Sequence, residues 1–549
     1  MKYFFYQLKN HICNDPLSDW FNVVHDRCLC FEKDPVNSFQ KELNEQKIAY
    51  KLNFLHQLKQ LIDVSYFKEN LSCEDTHNLI VDKKECIFWQ CSLFYEKLNI
   101  EVKPDFIIHK NLLNQLFPQV NFNLKRLQIY LTSDIVYKII TFNSEKNNLL
   151  NQGFMYYHKC KMYIASQALD ALMNTQIHTG YLFGKEYRHL NKILIKKETI
   201  GYFKLLDEYE TSVINAINWL NKLYQNYDEW LIYPKPSVNE LYPNMNLRTS
   251  NWYNEKKQLA TFIQEITLVW NISYKKRCIL LEKGIAKWSD PILLGNIYPY
   301  QVKENHREMI QDKMISINSQ NELKISPRKI KQHEFIEIIK NQKNSIILDI
   351  ESVLNLDEKE SYFENELVEN IETPKVCIIG TIINDEKVCF KDFTIRYLSN
   401  EEEKKIIEYW VSYLKKYFQG TIRVYHWGNA EKVYLTYMKD KFPEINYPNF
   451  EMIDVLLYFK KEPISIQGCF GYGLKEIVKQ LYNLKLIENQ WTDSTDALDA
   501  MMKIMKTSEE AQLKNIPLKR FTEIKKIIYY NYMDCRVIID ILKMLETMI

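Results

Sequence analysis

The residues most able to do chemistry are four acidic signals in the C-terminal part of the chain. Asp349 and Glu351 stand two apart at the end of Ser345-Ile-Ile-Leu-Asp-Ile-Glu, and Glu431 closes His426-Trp-Gly-Asn-Ala-Glu. Asp454 lies in Met452-Ile-Asp-Val, and Asp534 follows Tyr530 by one helical turn in Tyr530-Asn-Tyr-Met-Asp. Carboxylates drawn from separate strands and helices suit a site holding two divalent ions, and two ions suit cleavage of a phosphodiester bond. The chemistry expected is therefore hydrolysis of nucleic acid.

Each signal needs an element to aim it. The run Ile346-Ile-Leu reads as a buried central strand, and period-two geometry puts Asp349 and Glu351 on one face where that strand emerges. A solvated strand end has the same pattern. Glu431 follows the strand-like Thr421-Ile-Arg-Val-Tyr-His and opens a helix, where an acid also complements the helix dipole. Asp454 sits in an apolar stretch, where an unpartnered charge is costly. Tyr530 and Asp534 share one face of the last helix. They read either as a core tyrosine beside a surface acid, or as a metal ligand with a tyrosine that orients the attacking water. The pattern predicts strands at 345–352, 376–383, 388–397 and 421–426, and helices at 401–418, 430–441, 473–484, 495–506 and 521–547. Such alternation implies an α/β fold with a mixed sheet.

Upstream, the first residues to about 75 read as helices. Strands follow at 85–90, 105–108 and 127–140, then a helix at 156–173 and a strand at 180–184. Residues from about 200 to 330 read as mostly helical, since Val213, Ile214, Ile217, Trp219, Leu220 and Leu223 keep helical spacing. The charged stretch 301–342 reads as a connection between domains. Three parts result, 1–200, 201–335 and 336–549, in line with about 150 residues per domain.

The net charge of +2 excludes neither nucleic acid nor protein as a partner, because a basic groove fits inside a balanced total. No apolar run reaches the ~18 residues of a membrane span, and Met1-Lys-Tyr-Phe-Phe-Tyr-Gln lacks the apolar core of a signal peptide. No Cys-x-x-Cys pair occurs among the 12 cysteines, so a zinc ribbon is not expected. His25, Cys28 and Cys30 lie close together without a second ligand pair. The cysteines read as reduced thiols of a cytosol-like compartment, in a chain that is neither secreted nor membrane-bound.

With Asp349-Ile-Glu351, His426-Trp-Gly-Asn-Ala-Glu431, Gly473-Leu-Lys-Glu476 and Tyr530-Asn-Tyr-Met-Asp-Cys535 in this order, the segment from 345 onward resembles the DnaQ-like, RNase H-fold exonucleases of the DEDD group, in the tyrosine-bearing variant. The resemblance implies an RNase H-like mixed sheet flanked by helices. It implies 3′-to-5′ hydrolysis with two Mg²⁺ or Mn²⁺ ions, ligated by Asp349, Glu351, Glu431 and Asp534, with Tyr530 beside the attacking water. Most members carry Asp where Glu431 stands, which leaves Asp454 as an alternative ligand or supporting group. His426 and Cys535 are expected to orient or pack.

Pro104-Asp105-Phe-Ile-Ile and Asp134-Ile-Val136 resemble the RecB-like branch of the PD-(D/E)xK nucleases, a restriction-endonuclease-like α/β core with helical additions. That core implies one or two metal ions on Asp105 and Asp134, and a lysine at position 136. Val136 stands there instead. Lys138 lies on the same strand face, roughly 6.6 Å further along, and Lys161 stands on the following helix where relatives tend to carry Gln. Further along, Leu149-Leu-Asn, Tyr157-His-Lys-Cys-Lys161 and Gly180-Tyr-Leu-Phe-Gly keep the order of the resemblance. The whole chain is thus similar to a fusion of a RecB-like nuclease with a DnaQ-like exonuclease, found in some bacteria and large DNA viruses; a viral chain would work in the host cytoplasm. Cys278 is alone downstream, so no iron–sulfur cluster is expected. DNA is the expected substrate and RNA trimming the alternative. A non-catalytic nucleic-acid-binding or assembly protein built from two decayed nuclease folds is the contrasting reading, favoured for the first half by Val136.

Overall fold

The computed structural model describes residues 2–28, 31–35, 38–116, 130–142, 155–176, 178–189, 192–193, 201–247, 251–293, 306–319, 323–353, 374–383, 389–488 and 497–549. They form a mixed α/β protein in two compact units, residues 1–260 and the described residues from 261 onward. No helix among the described residues is long and apolar enough to cross a membrane. The motif Leu149-Leu-Asn lies outside the described residues, as do Cys30 and the side chain of Cys28.

The first unit is organised by a sheet whose chain-order strands are β1 (Phe67–Glu69), β2 (Ile87–Trp89), β3 (Phe106–His109), β4 (Tyr130–Phe142), β5 (Thr179–His189) and β6 (Gly201–Lys204). They lie side by side in the order β6-β5-β4-β3-β2-β1, with the short Lys192–Ile193 on β5. The β4–β5 pair is parallel, β3–β4 and β2–β3 are antiparallel. Parallel neighbours need a crossover, and helix α2 (Met155–Met173) supplies it. Alternation along β4 sets its two faces. Leu131 and Ile135 join Phe54, Leu58, Phe106 and Phe183 in a core under helix α1 (Ser38–Leu61). Thr132 faces the other way and meets Ser166 of α2 at 3.2 Å. Asp134, two residues on, therefore faces α2 as well.

The predicted break near residue 200 does not fall between the two units. Strand β6 pairs antiparallel with β5. Helix α3 (Asp207–Asn226) is pinned by Trp219 Nε1 donating to Asp19 Oδ2 at 3.0 Å, and buried Lys256 meets Asp15 at 2.9 Å. Both ties hold residues 201–260 to the N-terminal helices.

The second unit is built on a five-stranded sheet of β7 (Ser345–Val353), β8 (Lys375–Ile383), β9 (Cys389–Thr394), β10 (Ile422–His426) and β11 (Phe450–Asp454), in the order β9-β8-β7-β10-β11. Strand β8 is antiparallel to both neighbours, while β10 is parallel to β7 and to β11. Ile346, Ile347, Leu348 and Ile350 are buried on both faces of β7, as aliphatic residues in a covered central strand should be. Trp410 of helix α4 (Asn400–Tyr417) donates to Thr381 on β8 at 2.9 Å. Helix α7 (Thr522–Glu546) lies across β7 and β8, and its Ile538, Ile541, Leu542 and Leu545 fill the main core.

The stretch 301–342, read as a connection between domains, is packed where it is described. Helix His306–Ser319 buries Ile310, Met314, Ile315 and Ile317. Ile325 and Ser326 pair with Ile466 and Ser465, and Glu462 accepts the backbone N–H of Lys331 and Gln332 at 2.9 and 3.0 Å. The apolar face was hidden among charges too dense to show it.

Candidate active site

Strand β7 delivers Asp349 and Glu351 to the same face, opposite Gly380 and Ile378 of β8, and the ladder slips register between Glu351 and Ser352. Bulges of this kind re-aim side chains beside functional sites. Helix α7 crosses above with Tyr530, Asn531 and Asp534, all buried. The Asn531 carboxamide donates to Asp349 twice, to Oδ2 at 2.6 Å and to the backbone carbonyl at 3.2 Å. Room for it exists only because residue 380 is glycine: a Cβ there would lie 1.5 Å from Asn531 Oδ1.

Glu431 enters from the first turn of helix α5 (Ala430–Lys441), just after β10. The intervening turn is held by two neighbours. His426 Nδ1 donates to the Gly428 carbonyl at 2.6 Å, and Asp454 Oδ1 accepts the Gly428 N–H at 3.0 Å. The same Asp454 oxygen accepts Leu457 N–H at 3.2 Å and caps helix Val455–Lys461. Asp454 is therefore committed to shaping the Glu431 turn, and His426 orients that turn from the other side. Asp454→Ala should cost about 1 kcal/mol, the usual loss for an N-cap, read as a lower urea midpoint at unchanged slope.

The electrostatics of the cluster are those of crowded acids. Burial, opposed by the Asn531 hydrogen bond, pushes Asp349 up to about 7. Glu351 is raised by burial and then by Asp349 and Glu431. Glu431 is raised by burial and then by Asp349 and Asp454, and Asp534 by burial and then by Asp349 and Glu351. Like charges within reach disfavour one another's ionisation. Lys475 of helix α6 (Leu474–Asn483) works against this, drawing Glu351 and Asp534 down, and its ammonium sits 4.9 Å from the centre of the Tyr530 ring. Burial raises the Tyr530 phenol as well, with Asp534 adding to it, so Tyr530 is a hydrogen-bond donor rather than a base. Buried Glu431 Oε2 and Asp534 Oδ1 have no hydrogen-bond partner.

Four carboxylates, two of them with an oxygen that makes no hydrogen bond, form a hard oxygen donor set of the type that takes Mg²⁺ or Mn²⁺. The donor chemistry fits, while the side chains do not yet converge: among the described residues no three Asp, Glu, His or Cys groups are arranged to hold one ion.

In the first unit Asp105 and Asp134 are buried side by side. Asp134 Oδ1 accepts the Asp105 N–H at 3.0 Å, and Asp105 Oδ2 accepts the Ile135 N–H at 2.8 Å. Lys161 of α2 reaches both Asp134 oxygens, at 2.8 and 3.0 Å, and His158 Nδ1 lies 2.7 Å from Oδ2. Lys51 of α1 meets Asp105 at 2.6 Å. Burial would raise Asp134, but Lys161, His158 and Lys51 outweigh it and hold the carboxyl well below its ordinary range. Position 138 lies on β4, but the Lys138 side chain is outside the described residues, as is that of Val136.

Of the residues expected from sequence, Asp349, Glu351, Glu431, Asp534 and Tyr530 are brought together, and Lys161 meets Asp134. Asn531 and Lys475 at one site and His158 at the other lay inside the quoted motifs without a role of their own, while Gly380 and Lys51 were not anticipated at all. Lys51 left a faint signal, a lysine on the apolar side of a helix at spacings of four and seven from buried Leu55 and Leu58. Neither the protein-family models nor the curated proteins compared with the chain match it.

Proposed function

We propose that the second unit is a divalent-metal-dependent nuclease, a 3′-to-5′ exonuclease acting on DNA. The observation that carries this reading is the gathering of Asp349, Glu351, Glu431 and Asp534 from β7, α5 and α7 into one largely buried, mutually repelling set in which Glu431 Oε2 and Asp534 Oδ1 make no hydrogen bond. The strand order β9-β8-β7-β10-β11, with β8 reversed, supports it, since an RNase H-like sheet implies that arrangement. Polarity and the choice of DNA rest on the likeness of the motifs.

Asp349, Glu351, Glu431 and Asp534 would hold the ions. When bound, such ions lower the pKa of a ligated water and stabilise the leaving oxygen. The chain's own groups do the rest. Asn531 fixes the Asp349 carboxylate in one rotamer and ties it to its strand. The Tyr530 hydroxyl, hydrogen-bonded to Asp534, keeps its proton and can direct a neighbouring water. Lys475 offsets part of the carboxylate charge, which keeps the set foldable. His426 and Asp454 hold the turn that aims Glu431.

The test is metal removal and return on defined substrates. EDTA-stripped full-length protein should be inactive on single-stranded DNA, and Mn²⁺ or Mg²⁺ should restore release of mononucleotides from a 3′ label before a 5′ label. Closed circular single strands should resist. Absence of cleavage of DNA and RNA with either ion overturns the nuclease reading. Cleavage of RNA alone moves the substrate to RNA, and cleavage of the circle removes the exonuclease assignment.

A further inference from the structure

The cluster in the first unit has the wrong occupancy for a metal site. An ionised carboxylate offers about four lone-pair positions. Those of Asp134 are taken by the Asp105 N–H, by His158 Nδ1 and by two contacts from the Lys161 ammonium, all between 2.7 and 3.0 Å. Asp134 is wholly shielded from solvent. On Asp105, Oδ2 is already engaged by the Ile135 N–H and by Lys51. A divalent ion entering here would have to displace a lysine that straddles both oxygens of its principal ligand, and two like cations so close would repel. The residues present do not fit the metal that a PD-(D/E)xK-like core implies.

We propose that in the first unit the ammonium of Lys161 stands in the place of a divalent ion, making Asp105 and Asp134 a metal-free ion-pair tie between β3, β4, α1 and α2, and that neutralising Lys161 uncovers a divalent-cation site. The charge logic is simple. The buried pair carries two negative charges, and Lys51 and Lys161 bring two positive ones from separate helices. Removing one cation leaves a buried carboxylate uncompensated, which is strongly destabilising. A divalent ion can then offset the net negative charge left on the pair, with hard oxygen ligands that suit Mg²⁺ or Mn²⁺. The tie explains how the sheet can keep two acids inside its core without metal, and it gives this unit a structural role.

The experiment counts Mn²⁺ on the full chain by electron paramagnetic resonance, in wild type, Asp105→Asn, Lys161→Gln and the double variant. Gln is one atom shorter but keeps a donor for Asp134 while removing the charge. Wild type and Asp105→Asn should bind the same number of ions. Lys161→Gln should bind one more, and the double variant should lose it. In EDTA, Lys161→Gln should melt at least ~5 °C lower than wild type, and millimolar Mn²⁺ should restore it. An ion present in wild type and lost in Asp105→Asn overturns the proposal, as does a folded Lys161→Gln that gains none. Should Lys161→Gln not fold even with Mn²⁺, rescue has failed and the cryptic site is refuted. Ions held by the second unit are common to all four proteins and cancel in the differences, so this outcome is separable from that of the exonuclease reading.

Discussion

Asp349→Asn is expected to lower turnover by ~10³-fold or more while raising the melting temperature of the metal-free protein. The loss follows because groups that act as one set are not redundant, and removing a single member of such a set costs on this scale. The gain follows from the crowding. Asp349 raises Glu351, Glu431 and Asp534 through its charge, so a neutral isostere relieves all three. Asn also keeps an acceptor for the Asn531 carboxamide, which preserves the tie between β7 and α7. Relief of about 1 kcal/mol, an ordinary increment for neutralising a strained functional group, corresponds to about 2–4 °C for a unit of this size. Differential scanning calorimetry in EDTA, beside a 3′-label release assay, checks both halves. A variant that melts lower and retains activity would place Asp349 outside the site.

The pH dependence gives the same prediction a second face. Asp349 rises from 3.8 to about 7 on folding. The folded chain then holds more protons than the unfolded chain between these values, so stability falls as pH rises through that window and levels off above it. Glu351, Glu431 and Asp534, raised in the same direction, steepen the fall. Asp134 acts with the opposite sign, because its folded value is depressed: its contribution is present above the ordinary carboxylate range and is lost as pH falls below it. Wild type without divalent ions should therefore be less stable at pH 7 than at pH 5, and Asp349→Asn should reduce that difference.

Gly380→Ala is the second large effect. The added methyl would lie 1.5 Å from Asn531 Oδ1 and 2.6 Å from its Cγ, far inside contact. Asn531 is completely buried and has nowhere to retreat except off Asp349 or with the whole helix. Overpacking of this kind costs about 1–3 kcal/mol, and here it also releases the carboxylate that Asn531 positions. Activity should fall by at least ~10²-fold, and the protein should unfold at lower urea. The double variant Gly380→Ala, Asn531→Ala should recover stability without activity. Recovery of both would mean that Asn531 is packing alone.

Much of this was legible in the residues. Strand β7 announced itself by an unbroken apolar run, and helices α4, α5 and α7 by spacing. Strand β11 did not, because it is a short edge strand whose residues are only partly buried. Strand β6 was lost in a region read as helical, and with it the link that carries residues 201–260 into the first unit. At the sites, ligand-type residues were recognisable from type and order, whereas the residues that hold them were not. Nothing about Asn531 marks it as the partner of a carboxylate far away in the chain, and Gly380 has meaning only once α7 is seen above it. Asp454 read as an acid needing a partner or an ion, a supporting group or an alternative ligand; in the fold its Oδ1 accepts two backbone N–H groups. Such roles depend on tertiary neighbours, which periodicity does not encode.

Asn531 and Asp349 are separated by 182 residues. Long-range closure of this sort comes late, because the entropy of ordering the intervening chain must be met before the contact can repay it. A ribosome that has finished β7 has therefore made half a carboxylate set with no helix to complete it. Throughout the synthesis of the intervening sequence the nascent protein carries an incomplete carboxylate cluster on its central strand. The cluster is completed late, when the docking of one helix delivers Tyr530, Asn531 and Asp534 together.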